Sequence, residues 1–323
     1  MGSNSKQVSE IPIVDLTGLQ PSLPSGERWE AAKAAAAAAL QSHGFFEAIY
    51  PSLSAELRGE MLGRAAPEFF SLPLESKRRS TSEEPYQGYI GQAAPIPYES
   101  LRIDAVDSPI AVQDLTRLMW PQGNPTFFNA VVAFAKPLRD LAEMVQEMIL
   151  QSLGVDQKHY DALVNLTDHG LRLSHYGVPV NQETEIALFP HLDPNLLSIV
   201  CQHEIGGLEF QIAGGSWVNA EPSPTSVHVM AGLAFQAWSN MSVRAPMHRV
   251  RMLGNEKRFS AIYGTRPSHN SIVKSPEELA DAGRGPLLYK PFNYTELVRF
   301  LCSKQGMGHS PEDAFNSYCK LQN

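Results

Sequence analysis

Cysteine is scarce: Cys201, Cys302 and Cys319 are the only three in 323 residues, far apart and never as C-x-x-C. That excludes a disulfide framework and a thiolate metal site and suits a reducing compartment, so the sequence reads as cytoplasmic. Positive charge is also in deficit, with 26 Lys and Arg against 34 Asp and Glu for a net charge of −8. Non-specific nucleic-acid binding needs a basic face, and this balance argues against it. No apolar run suits a membrane span: the tract from Ala31 to Leu40 is short, is broken by Lys33 and consists mainly of the best helix former, which predicts a soluble helix. The opening MGSNSKQVSEIPIVDL lacks the apolar core and small-residue cleavage site of a secretory signal, and Lys6 stands where a myristoylation signal wants Ser or Thr. A nucleotide-binding glycine fingerprint is missing too, because Gly206-Gly207 and Gly214-Gly215 lie between strand-like runs with no helix to receive a phosphate.

What is present is a globular composition, 43% hydrophobic and 19% charged, long enough for two average domains or one large elaborated core. Apolar residues at Phe127, Val131, Phe134, Leu138, Leu141, Val145 and Met148 recur every three or four positions and stop at Gly154, which predicts a long core helix. Earlier helices are expected from Glu27 to Ser42 and from Arg64 to Phe70, with a buried strand from Phe45 to Tyr50 between them. After Thr167 short β-branched and aromatic runs alternate with Gly, Pro and Asn. Strands are predicted at Leu171–Tyr176, Ser198–His203, Leu208–Ile212, Ser226–Met230, Leu233–Trp238, His248–Met252 and Arg258–Tyr263. Many short strands point to a sandwich or barrel, not to βαβ units. Asn293 followed by Glu296, Leu297, Phe300 and Leu301 is a capping box opening a final helix. With no repeat or linker, a single domain over 1–323 is preferred, divided into a mainly helical segment 1–165, a strand-rich core 166–270 and a helical tail 271–323.

The chemistry-bearing residues form one constellation. His191 and Asp193 are two positions apart at the end of an apolar run, a spacing that in a strand places both on one face. His248 follows 55 residues after Asp193, enough chain for several strands to return to the same mouth. Two His and one carboxylate leave three octahedral positions free, the ligand set of non-haem Fe(II) oxygenases. H-x-D alone is weak, but Arg258-Phe259-Ser260 adds a guanidinium and a hydroxyl on one strand face, a fork suited to a carboxylate. A dicarboxylic co-substrate could chelate the metal at one end and meet Arg258 and Ser260 at the other, with Tyr176 as a further partner. A zinc hydrolase can use the same three ligands, but hydrolysis has no use for the second clamp. A non-catalytic jelly-roll binding protein is the other alternative.

The motifs I-P-I-V-D-L, HGFFEA, F-F-S-L-P-L-E-S-K, L-R-L-S-H-Y-G, H-L-D-P-N-L-L-S-I-V, G-G-L-E-F-Q, W-S-N, H-R-V and R-F-S occur in the order found in plant-type 2-oxoglutarate- and Fe(II)-dependent dioxygenases, which the chain resembles almost end to end. P-Y-Q-G-Y, Q-H-E-I-G-G-L-E, R-A-P-M-H-R-V-R, L-L-Y-K-P-F-N-Y and S-Y-C resemble the AOP-like branch, named for alkenyl- and hydroxyalkyl-glucosinolate formation. The resemblance implies an α+β fold with a double-stranded β-helix (distorted jelly-roll) core, N-terminal supporting helices and a C-terminal helix over the barrel mouth. It implies His191, Asp193 and His248 as catalytic iron ligands and Arg258, Ser260 and Tyr176 as contacts to 2-oxoglutarate, with O2 as second co-substrate and ascorbate in a supporting role. Succinate and CO2 would accompany hydroxylation, desaturation or dealkylation of a small plant specialised metabolite; an auxin or gibberellin oxidase is the neighbouring alternative. Ser174 stands where the family often has Asn, and Leu192 where it usually has Thr or Ser, the latter expected to point away from the metal.

Tyr86, Tyr89, Tyr98, Phe235, Trp238, Phe292 and Tyr294 are the aromatic candidates for the substrate pocket, which the N-terminal segment and tail would cover. Arg102 could pair with an acidic substrate but is read first as a solvated arginine; the run Lys77-Arg78-Arg79 reads as a solvated basic edge, Cys201 as a small buried hydrophobe and Trp217 as hairpin packing. The expected partner is a small molecule, with no nucleic acid and no membrane, and a monomer is favoured.

Overall fold

A computed structural model describes residues 11–93, 97–178, 186–252, 254–281 and 285–321. The chain opens with strand β1 (Ile13–Asp15), helix α1 (Glu27–Ser42) and β2 (Phe45–Ile49). One continuous helical stretch follows: α2 (Ala55–Arg58), a π-helical segment (Gly59–Ala65) and α3 (Ala66–Phe70), then α4 (Leu74–Arg78). The hairpin β3 (Tyr89–Ala93) and β4 (Tyr98–Asp104) precedes α5 (Pro109–Met119), α6 (Pro125–Leu153) and α7 (Gln157–Asn165). The strand-rich region holds β5 (Thr167–Tyr176), β6 (Ile186–His191), β7 (Leu197–Gln202), β8 (Leu208–Gln211), β9 (Trp217–Asn219), β10 (Ser226–Ala231), α8 (Leu233–Trp238), β11 (His248–Arg251) and β12 (Arg258–Pro267). The tail carries β13 (Ile272–Val273), α9 (Glu278–Asp281), β14 (Phe292–Asn293), α10 (Tyr294–Leu301), α11 (Lys304–Met307) and α12 (Pro311–Cys319).

The eight-stranded main sheet has the order β1-β2-β10-β7-β12-β5-β4-β3, and β6-β11-β8-β9 form a second sheet of four. Strand alternation gives the main sheet two different faces. Leu171, Leu173, Ile199, Ala261 and Tyr263 point to one side and share a core with Phe134, Leu138, Leu141 and Val145 of α6 and with Trp29 and Ala36 of α1. On the other side Phe45, Val200 and Met230 pack against Leu208 and Phe210 of the small sheet, with the Phe45 and Phe210 rings stacked at 3.9 Å. This is the expected α+β architecture with a double-stranded β-helix core between helices.

The long helix ends where its apolar period ends, with Gly154 at φ 66° supplying the left-handed cap that a side chain disfavours. The Asn293 side chain accepts from the Glu296 amide at 3.1 Å, capping α10 as its sequence suggests. One expected strand is absent: Leu233–Trp238 is a helix, α8, buried throughout. An apolar run buried on all sides carries no period to separate strand from helix. The mainly helical first segment also contributes β1 to β4, two at each end of the main sheet, and the tail has α11 and α12 besides the predicted helix.

Two charge readings change. Lys77 is buried, donating to the Phe70 carbonyl at 2.9 Å and pairing with Glu99 at 2.6 Å, while Arg78 and Arg79 are exposed. Cys201 is fully buried as expected, but the Arg58 guanidinium lies 3.1 Å from its sulfur, so it serves a polar contact as well. Trp217 lies in the β8–β9 hairpin with the Arg249 guanidinium 4.0 Å over its ring.

Candidate metal centre and cavity

The three candidate ligands are brought together by sheet register. His248, first residue of β11, pairs directly with His191, last residue of β6, so two residues distant in sequence face each other across one ladder. Asp193 lies just beyond the end of β6, so the turn after the strand, not strand alternation, aims its carboxylate. Its Oδ1 is 3.7 Å from the Nε2 of each histidine, and the ligand atoms all lie within 4.8 Å of one another.

Each ligand is oriented from behind. His191 Nδ1 faces the Phe189 carbonyl at 2.8 Å and His248 Nδ1 the Pro246 carbonyl at 3.2 Å. A ring that donates from Nδ1 presents the lone pair of Nε2, the tautomer a metal ligand needs. Ser198 donates to Asp193 Oδ2 and itself receives the Asn195 amide at 2.8 Å, leaving Oδ1 turned to the imidazoles. Burial alone would raise the Asp193 carboxyl, but His248, His191, the Ser198 hydroxyl and Arg172 together hold it below its ordinary value. His248 is driven down to about 4, first by burial and then by His191, so it is neutral at physiological pH. An anionic carboxylate and a neutral imidazole are the donor forms a divalent cation takes.

Beside this centre the inner face of the main sheet carries successive rows of side chains. Arg258 on β12 stands opposite Tyr176 on β5, which stands opposite Tyr98 on β4. The next row is Gln202, Ser260, Ser174 and Ser100, on β7, β12, β5 and β4 in turn. Arg258 is 1% exposed, yet it has no carboxylate partner among the described residues. It donates to Ser260 Oγ at 3.2 Å and to Gln202 Oε1 at 3.0 Å, and its Nε is unpartnered. Its guanidinium lies 4.7 Å over the Tyr176 ring, and burial pushes the Tyr176 hydroxyl up to about 12, keeping it a donor. A buried cation held by neutral groups costs free energy unless an anion joins it, so the arrangement fits the far carboxylate of a dicarboxylic acid. Gln202 escaped the sequence reading, although it opens the motif Q-H-E-I-G-G-L-E; its fixed role comes from bonding Arg258, the Leu208 amide and the Ala220 carbonyl at once. Ser174 lies 3.5 Å from the Tyr98 hydroxyl, so the substituted position faces a tyrosine.

A cavity of about 850 Å³ opens onto His191 and Asp193 and reaches Tyr176. Of the aromatic candidates, Tyr86, Tyr98 and Tyr294 line it. The other four lie elsewhere. Tyr89 is core and donates to Glu99 at 2.7 Å, Phe235 is fully buried, and Phe292 packs edge-on against Phe315 at 6.2 Å. Trp238 borders a separate cavity of about 540 Å³. Aromatic residues are more often core than ligand contacts, and composition cannot separate the two. Leu192 packs against the main core and also borders the cavity. Arg102 is not solvated: its side chain is 11% exposed, lines the cavity and pairs with Asp104 at 2.7 Å. Arg172 was not foreseen as a site residue, although the alternation in L-R-L-S-H-Y puts it on the face of Ser174 and Tyr176.

Fold and ligand geometry together define a non-haem iron oxygenase, and the chain belongs to the 2-oxoglutarate- and Fe(II)-dependent oxygenase superfamily. Residues 167–267 match the 2OG-Fe(II) oxygenase superfamily, and residues 11–101 match the family described as non-haem dioxygenase in morphine synthesis N-terminal. The chain is 33% identical over 303 residues to the probable 2-oxoglutarate-dependent dioxygenase AOP1.2 of Arabidopsis thaliana, covering 92% of each protein. Among solved structures it resembles the rice dioxygenase for auxin oxidation, with TM-score 0.77 and 25% identity over 97% of this chain and 100% of that one. JOX2 in complex with 2OG, Fe and JA shares the fold at TM-score 0.78 and 21% identity, over 96% of this chain and 89% of that one. The protein is therefore an oxidoreductase whose chemistry converts 2-oxoglutarate and O2 to succinate and CO2 while oxidising a small organic substrate. No helix among the described residues is long and apolar enough to cross a membrane.

Proposed function

We propose that His191, Asp193 and His248 hold Fe(II), that Arg258, Ser260 and Tyr176 hold the distal carboxylate of 2-oxoglutarate, and that the enzyme hydroxylates a small plant specialised metabolite in the manner of the AOP-like branch. The observation that carries the assignment is the buried Arg258, uncompensated by any described carboxylate, on the sheet that flanks a preformed His/Asp/His set. The 33% identity to the AOP1.2 protein over nearly the whole chain supports the branch. Bound here, iron and 2-oxoglutarate supply the oxidant that breaks a substrate C–H bond, the net reaction being R–H + 2-oxoglutarate + O2 → R–OH + succinate + CO2. The protein's own contribution is orientation. Phe189 and Pro246 carbonyls fix the imidazoles, Ser198 fixes the carboxylate and Gln202 fixes the arginine.

The decisive experiment is anaerobic addition of Fe(II) and 2-oxoglutarate to purified protein, read as the weak visible charge-transfer band of the chelate. A band is expected in the wild type, and its absence overturns the reading. His191→Ala should lose iron, whereas the hydroxylation itself is read as substrate mass gain of one oxygen in step with succinate release from a plant metabolite extract.

A further inference from the structure

The cavity holds more positive charge than the metal and co-substrate sites require. Arg102, Arg172 and Arg266 all line it. Arg102 on β4 stands directly opposite Arg172 on β5, and like charges paired across adjacent strands repel. One carboxylate, Asp104, serves two of the three, receiving Arg102 Nε at 2.7 Å and Arg266 Nη2 at 3.0 Å. Arg172 has no carboxylate partner among the described residues: it donates to Ser100 Oγ at 2.7 Å and to the Tyr86 backbone carbonyl. Arg102 Nη2 is buried and unpartnered.

The backbone is cut back to receive this charge. Gly170 on β5 and Gly264 on β12 face each other in mid-strand. A Cβ at Gly170 would meet the Arg102 guanidinium, 2.4 Å from Nη2 and 2.6 Å from Cζ, and one at Gly264 would come 3.7 Å from Nη1. The guanidinium thus occupies the space that a side chain at Gly170 would fill, and glycine inside a strand is otherwise a cost. From Gly264 one strand further is Ser198, the residue that bonds Asp193. Two strand spacings, on the order of 10 Å, separate Gly170 from Ser198. Counted from Arg172, the Ser260–Ser174 row is two residues away along β5, about 7 Å, and the Arg258–Tyr176 row four residues, about 13 Å.

We propose that the substrate of this enzyme is a small organic anion whose carboxylate, or equivalent oxyanion, is gripped between Arg172 and Arg102, which presents a carbon several atoms from the acid group to the metal centre. The inference rests on the dioxygenase reading above. A planar guanidinium fork matches an oxyanion bidentately, and the anion relieves the repulsion between the two arginines, so acid and pocket are each stabilised by the other. A neutral isostere leaves Arg172 without an anionic partner and the repulsion between the two arginines unrelieved, and is discriminated against on that account.

The test uses phenylacetate, octanoate and benzylsulfonate against phenylacetamide and octanamide, titrated anaerobically into the protein with Fe(II) and 2-oxoglutarate. Binding is read by calorimetry as well as by the shift of the visible band. Each carboxylate is expected to bind at least tenfold tighter than its amide; the sulfonate distinguishes a general oxyanion site from one shaped for carboxylate. Arg172→Gln should remove the acid preference, and Gly170→Ala should weaken it by displacing Arg102, both with the affinity for 2-oxoglutarate kept. Amides binding as tightly as acids, a preference untouched in Arg172→Gln, or loss of 2-oxoglutarate binding in that variant would each overturn the proposal. A missing band in wild type with the acid preference intact overturns the dioxygenase reading alone, and a band without the preference overturns this inference alone.

Discussion

Replacing Arg258 by Met should move two properties in opposite directions. In the protein without co-substrate, Arg258 is a cation buried at 1% exposure, its charge met among the described residues by the Ser260 hydroxyl, the Gln202 side-chain oxygen and Tyr176, and by no carboxylate. Burial pulls its guanidinium below the ordinary value, a sign that the charged form is disfavoured there. Exchanging a buried charge for an apolar side chain of similar volume is worth about 1–4 kcal/mol to the fold. At about 2.1 cal/mol/K of unfolding entropy per residue, each kcal/mol is about 1.5 °C in a chain this long, so Tm should rise by about 2–6 °C. Binding goes the other way. Losing a bidentate clamp removes two charge-assisted hydrogen bonds of about 1.5–3 kcal/mol each, or about 10²- to 10⁴-fold in the Kd for 2-oxoglutarate. Scanning calorimetry without ligands and anaerobic titration of the charge-transfer band measure the two effects on one preparation, while Fe(II) affinity should stay as in wild type. A variant that melts lower and still binds 2-oxoglutarate normally would refute the argument, because Arg258 would then be a structural residue.

Ser198→Ala should weaken Fe(II) binding about 10- to 100-fold by releasing the second oxygen of Asp193, as seen by anaerobic metal titration, with little change in melting temperature. Phe210→Ala removes a fully buried ring stacked 3.9 Å from Phe45 and should cost about 3–5 kcal/mol in denaturant unfolding; an unchanged midpoint would show that the space between the sheets collapses freely. His228 is depressed to about 4, by burial above all, and its Nε2 is unpartnered. The unfolded chain takes up that proton near pH 6.5 and the folded one only near 4, so its contribution is complete above pH 6.5 and falls away as the pH drops to 4, by on the order of 3 kcal/mol. In His228→Leu the pH dependence of stability between 6.5 and 4 should flatten, and an unchanged slope would assign acid lability to other groups.

Local signals made the metal centre legible and long-range pairing hid most of its surroundings. H-x-D, the later H-R-V and R-F-S are short patterns in which a ligand or a clamp is named by residue type, and the fold needed only to bring them together. The register that does so, His191 against His248, is non-local: the 55 positions from Asp193 to His248 argue only that the strands return to one mouth, not which residues pair. Arg102 and Arg172 show the opposite case. The strand bearing Arg172 was predicted, but β4 falls in a segment that read as helical, so nothing in the sequence revealed that a second arginine would face the first. Lys77 was misread for a related reason: its partner Glu99 is on that same strand. For Leu233–Trp238 the failure is physical, since a six-residue segment buried on all sides satisfies strand and helix patterns equally.

The rows on the main sheet separate functions that share one oxidant. The groups proposed for the co-substrate come from β5 and β12, with Gln202 of β7 behind them, strands that have neighbours on both sides, and residues 258, 260, 176 and 202 are buried at 5% exposure or less. Two ligands come from the facing small sheet and the third from the turn beside it, tied back to β7 by Ser198. The arginine end of the cavity instead draws on β4, one strand from the edge of the sheet, on the Tyr86 carbonyl and, through Tyr294, on the tail helix α10. Elements added outside the shared barrel can change without disturbing strands that are paired on both sides, because a substitution on β4 leaves the β5–β12–β7 ladders intact. On the substrate site proposed above, substrate choice can drift at positions such as 102 and 86 while the proposed iron and co-substrate positions stay fixed. Arg172 on β5 and Arg266 on β12 are exceptions that couple them, since both belong to central strands; the charge of Arg172 also reaches Asp193, while its hydroxyl and carbonyl partners lie in the peripheral wall.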